Sequence, residues 1–73
     1  MDKKEIRKWL MNAIKYCDNI IKSDTDEKTK EKYKDLKNDA LAYRVDIKDG
    51  ILSADGWAEV LDFLKRNFDF LKD

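Results

Sequence analysis

The sequence predicts an all-α domain, a small three-helix bundle in which neighbouring helices run antiparallel. Three observations carry this. Apolar residues recur at three- and four-residue spacing in three separate segments. Proline is absent and glycine occurs twice, so little interrupts a helix. The connections between segments are short, which makes successive helices antiparallel. The expected helices lie near residues 3–22, 26–48 and 54–72, within one domain of 73 residues. An all-helical homodimer is the main variant, motivated by apolar flanks left over on the first and third helices.

In the first segment Ile6, Leu10, Ala13, Cys17 and Ile20 form a central stripe. Ile14 and Ile21 flank it on one side, Trp9 and Tyr16 on the other, and Met11 stands well off it. Asp2 with Glu5 has the spacing of a capping box, aspartate in the cap role. The opposite face carries Lys4, Arg7, Lys8, Lys15 and Lys22. Cations in a first turn oppose the helix dipole, so Lys3, Lys4 and Arg7 do not serve local helix stability.

Ser23-Asp24-Thr25-Asp26-Glu27 reads as a loop and a helix start. Ser23, Asp24 and Thr25 are competent caps, and Asp24 with Glu27 has capping-box spacing. The second segment offers Tyr33, Leu36, Ala40, Tyr43 and Ile47, a narrower stripe that marks the peripheral helix. Leu41 and Val45 form a second apolar pair to one side. Gly50 suits the left-handed position after a helix, and Lys48 suits its last turn. Val45 to Leu52 around Asp49-Gly50 also has the pattern of a β-hairpin. A lone hairpin is marginal in water, so helix followed by turn is the preferred reading.

The last third is the most apolar and aromatic stretch, and the chain reads as organised around it. Trp57, Leu61, Leu64, Phe68 and Leu71 step by four, three, four and three, one stripe on a continuous helix. Ser53 is the expected N-cap, with Leu52 and Trp57 placed for a hydrophobic staple. Gly56 is a weak point in the first turn. Val60, Phe63 and Phe70 widen the apolar face to about half the cylinder. They serve contact with two other helices, or they leave Phe63 and Phe70 as an exposed aromatic patch. The expected core is Ile6, Leu10, Ala13, Cys17, Ile20, Leu36, Ala40, Tyr43, Trp57, Leu61, Leu64 and Phe68.

Composition excludes several chemistries. Cys17 is the single cysteine and histidine is absent, so no internal disulfide and no ordinary zinc shell can form. The lone thiol reads as a small buried apolar group in a reducing cytoplasm. Asp49-Gly50-Ile51 resembles part of a calcium loop, but Val45, Ile47 and Gly56 fall where oxygen ligands are needed. No phosphate loop or nucleophile–base pair is present. Asp55, Glu59 and Asp62 share a helix face with Lys65 and Arg66, the setting of a solvated surface rather than a pocket. No signal peptide and no membrane span are expected. Lysine plus arginine and aspartate plus glutamate number 16 each, so formal net charge is zero.

These readings lead to a non-catalytic protein-binding module in the cytoplasm, with no cofactor or metal. It would be a small inhibitor or adaptor, of a size that phage and plasmid accessory proteins often have. Its partner-binding candidates are Phe63, Phe70 and Val60, since large aromatics anchor interfaces. The alternative is a small nucleic-acid-binding protein using Lys4, Arg7, Lys8, Lys15 and Lys22, although no aromatic is interleaved with them for base stacking.

Overall fold

Each helix begins on a side-chain cap supplied by its own sequence. In the computed structural model, which describes residues 1–72, α1 spans Lys3–Lys22, α2 Glu27–Lys48 and α3 Ala54–Asn67. A short 3-10 turn, Asp69–Leu71, follows. Asp2 accepts from the Glu5 N–H at 2.8 Å and Ser53 from the Gly56 N–H at 3.2 Å, as expected. The α2 cap falls two residues later than the Asp24 spacing suggests. Asp26 takes the role, accepting from the Thr29 N–H at 2.7 Å. The hydrogen bonds from Thr29 hold the Asp26 carboxyl below its usual range. Ser23 instead closes α1, its N–H and its hydroxyl both donating to the Ile20 carbonyl.

The hairpin alternative does not form, because α2 continues through Lys48 and ends in a Schellman motif. Gly50 adopts φ 71°, its N–H donates to the Ile47 carbonyl, and the Ile51 N–H reaches back to Asp46. Val45 and Ile51 occupy the two positions where this motif commonly pairs apolar side chains. That accounts for two large hydrophobic residues left exposed at this corner.

The third helix is shorter than the periodicity suggests. It stops at Asn67, with Phe68 at φ −136° and ψ 30°. The Asn67 amide donates to the Phe63 carbonyl at 3.0 Å. The break turns Phe68 fully into the core, and its carbonyl accepts the buried Trp9 indole N–H at 2.8 Å. This bond ties together residues 59 positions apart. Gly56 also differs from its expected role. A β-carbon there would meet Leu52 Cδ2 at 2.8 Å, so the missing side chain lets Leu52 fold over the first turn of α3.

The hub of the bundle is α1, not the last helix. Packed against both α2 and α3, it buries Ile6, Trp9, Leu10, Ala13, Ile14 and Cys17. From α2 only Ala40 is fully buried, consistent with a peripheral helix. From α3 the buried residues are Val60, Phe63 and Leu64. The expected core is therefore right in part. Ile20, Leu36, Tyr43, Trp57 and Leu61 are half-buried, whereas Trp9, Ile14, Val60 and Phe63, read as flanks, are core. Because the α3 apolar face is so wide, periodicity alone leaves its central row undecided. Contact with α1 selects the Val60–Phe63–Leu64 side.

Candidate binding surface

Two of the three aromatic-patch candidates are not at the surface. Val60 is fully buried and Phe63 is 9% exposed, its ring lying 5.3 Å from Tyr43 of α2 and 5.8 Å from Phe68. They hold α3 onto the other helices, and neither can anchor a partner. Phe70 is 60% exposed, but it lies on the 3-10 turn and its ring leans edge-on against Tyr16 at 5.0 Å. Phe63 and Phe70 thus belong to different environments.

The basic residues of α1 have a different fate. Lys4, Arg7, Lys8, Lys15 and Lys22 are all exposed. With Met11 and Asp18 they follow one line, positions 4, 8, 11, 15, 18 and 22, with Arg7 beside it. On α2, Lys30, Lys34, Lys37, Leu41, Arg44 and Lys48 repeat the same four-three spacing. Apolar periodicity does not reveal this second row, because its regularity lies in charge. The signal was present: 30, 34, 37, 41, 44 and 48 form a helical stripe with one acid, Glu27, at its start.

The structure brings the two rows to one side of the bundle. Arg7 and Met11 of α1 line a common open groove with Arg44, Ile47 and Lys48 of α2, floored by Leu10. Farther along, Lys37 of α2 pairs with Asp18 of α1. The hydrogen bond from Lys37 holds the Asp18 carboxyl below its ordinary range. The third helix lies elsewhere. Trp9 points to it from α1 and Tyr43 from α2. Each stands ~140° round its own helix from the cationic row, on helical-wheel geometry. Lys8 sits at the outer edge of the α1 row, where it also lines a cleft with Glu5, Trp9 and Leu71.

Three acids gather on the other side. Burial pushes the Tyr43 hydroxyl above its ordinary pKa, and the charges of Glu59, Asp39 and Asp62 push it the same way. These carboxylates therefore cluster at the seam of α2 and α3. Asp62 also pairs with Arg66 along α3, at 3.0 Å. A chain of zero net charge is thus strongly segregated. Leaving Lys8 aside, the α1/α2 face holds nine of the sixteen cations and two of the sixteen acids, Asp18 and Glu27. Among the described residues no group of three His, Cys, Asp or Glu side chains is placed to hold a metal ion. No described helix is long and apolar enough to cross a membrane.

The fold and this surface define a small three-helix bundle with one cationic two-helix face. Comparison with family models, curated proteins and solved structures finds no significant match for the chain.

Proposed function

We propose that the chain is a non-catalytic binding module that works by covering an extended anionic surface with its α1/α2 face. The observation that supports this is the segregation itself: nine cations against two acids on that face, in a chain whose charges sum to zero. Scattered solubilising charges mix both signs. A single-sign face instead steers a partner of opposite sign and fixes its orientation. The reading keeps the adaptor or inhibitor role in a reducing cytoplasm, with its surface moved from the α3 aromatics to the basic rows. Seven of the nine cations, Lys4, Arg7, Lys15, Lys22, Lys34, Arg44 and Lys48, are exposed and able to reach a partner.

Ion-exchange behaviour at pH 7 tests it. The sequence pI is about 6.3, so net charge alone predicts that a cation exchanger will not retain the protein. The segregated face predicts retention at low salt. The double variant Lys34→Glu/Arg44→Glu should flow through, while Lys65→Glu/Arg66→Glu on α3 should still be retained. Wild-type protein passing unretained through the cation exchanger would refute the proposal.

A further inference from the structure

The chemistry of the face narrows its partner. We infer that the α1/α2 face binds duplex nucleic acid through the phosphate backbone, without reading the bases; this rests on the proposed anion-binding role of that face. Lys4 to Lys22 and Lys30 to Lys48 each span eighteen residues, about 27 Å of helix at 1.5 Å per residue. The two rows lie on adjacent helices, whose axes are typically 8–10 Å apart. They present a flat cationic strip that matches about eight base pairs at 3.4 Å each.

Composition separates nucleic acid from an acidic protein. Seven of the nine cations are lysine. Protein–protein interfaces are depleted in lysine and are anchored by aromatics and arginine. Lysine meets phosphate as a point charge and needs no fixed geometry. The aromatic side chains stand elsewhere. Trp9, Phe63 and Phe68 are core, Tyr16 and Tyr33 face one another, and Phe70 leans on Tyr16. Single-strand binders stack bases on exposed aromatics, and this face has none. Neither helix protrudes. Since α1 and α2 lie side by side, neither can enter a major groove as a recognition helix does. What remains is contact with phosphates, which positions a protein but carries no sequence information. The acidic seam of α2 and α3 would repel the same polyanion, so only one face can bind.

The test is fluorescence anisotropy with a mixed-sequence 24-base-pair DNA duplex, alongside a single strand of the same length and polyglutamate. About six or seven phosphate contacts predict an affinity that falls roughly a thousandfold between 50 and 200 mM salt. Scrambling the duplex sequence should change affinity less than about threefold, and the single strand should bind at least about tenfold more weakly. Lys34→Glu/Arg44→Glu should weaken duplex binding more than tenfold, as should Lys15→Glu/Lys22→Glu on the other row. Unchanged circular dichroism would show that both variants are folded. Polyglutamate bound more tightly than duplex would overturn this inference while leaving the anion-binding reading intact. A preference for the single strand would do the same. If neither the duplex nor polyglutamate binds at 50 mM salt, both fail.

Discussion

Replacing Trp9 with phenylalanine should loosen the bundle far more than the same change at Trp57. Trp9 is 4% exposed, and its indole N–H donates to the Phe68 carbonyl at 2.8 Å. Phenylalanine keeps an aromatic ring at the site but removes the donor. The Phe68 carbonyl retains a second donor, the Leu71 N–H at 3.0 Å, so the full penalty for a bare buried carbonyl does not apply. The lost hydrogen bond contributes about 1 kcal/mol net. The smaller ring leaves roughly 40 Å³ empty beside α3, about 1 kcal/mol more at the usual cavity coefficient. The sum, about 2 kcal/mol, is a large share of the stability of a domain this size. It corresponds to a fall of about 8–15 °C in Tm. Trp57 is half-buried, and the Lys3 ammonium 5.4 Å from its ring would find a similar ring on phenylalanine. Trp57→Phe should therefore destabilise by less than about 1 kcal/mol. Urea titrations of the two variants decide the matter. Equal midpoints would refute the argument that the Trp9–Phe68 tie fixes the end of α3. Hydrogen exchange adds a second check, because Trp9→Phe should speed exchange at Leu71, whose N–H shares that carbonyl.

Two further outcomes follow from local chemistry. Burial pushes the Cys17 thiol from an ordinary value of 9.0 up to about 11, so the unfolded chain ionises first as pH rises. Its contribution is fully present below about pH 9 and is lost between about pH 9 and 11, at most about 2–3 kcal/mol at 1.4 kcal/mol per unit. Tyr16 and Tyr43, also raised by burial, add to the loss above pH 10. Thermal melts from pH 8 to 10.5 should show a steeper decline for wild type than for Cys17→Ala, and parallel declines would sink the account. Gly50→Ala places a β-carbon at φ 71° with open space around it, so its effect is backbone strain alone. It should destabilise by about 1 kcal/mol in denaturant, and no change would mean that the turn tolerates another conformation.

What could be read from the sequence was set by short-range rules. Asp2 and Ser53 cap because a hydroxyl or carboxylate three residues ahead of a free N–H has few alternatives. Gly50 ends α2 because glycine takes the left-handed position with the least strain. What could not be read depends on which helices meet. Nothing in Phe68 or its neighbours marks a helix end, since no proline or glycine stands there. The end at Asn67 appears only once the Trp9 indole N–H is in place to donate to the Phe68 carbonyl. The same holds for Val60 and Phe63. On a face covering half the cylinder they are rim or core according to where α1 lies, and in the fold they are core. The basic site was half legible. The α1 lysines were visible as a stripe, but only the pairing of α1 with α2 shows that Arg44 and Lys48 stand beside Arg7.

The proportions of the bundle bear on the same surface. The third helix, at 14 residues, is shorter than α1 at 20 and α2 at 22. The 3-10 turn carries the chain only as far as Phe70, which meets Tyr16. Beyond Cys17 no residue of α1 is fully buried, and before Ala40 none of α2 is. The distal end of this hairpin therefore adds little core, while fixing each of its backbone residues costs roughly 1–2 kcal/mol of conformational entropy. Local pairs and the Asp26 cap offset part of that. Tyr33 and Leu36 pack against the core from this end without being fully buried. Lys22 and Lys30 extend the cationic rows past the last fully buried residues of both helices. The helix pair thus outruns the full burial of its core, and along that length the two cationic rows continue with Asp18 between them and Asp24, Asp26, Glu27, Glu31 and Asp35 nearby in sequence.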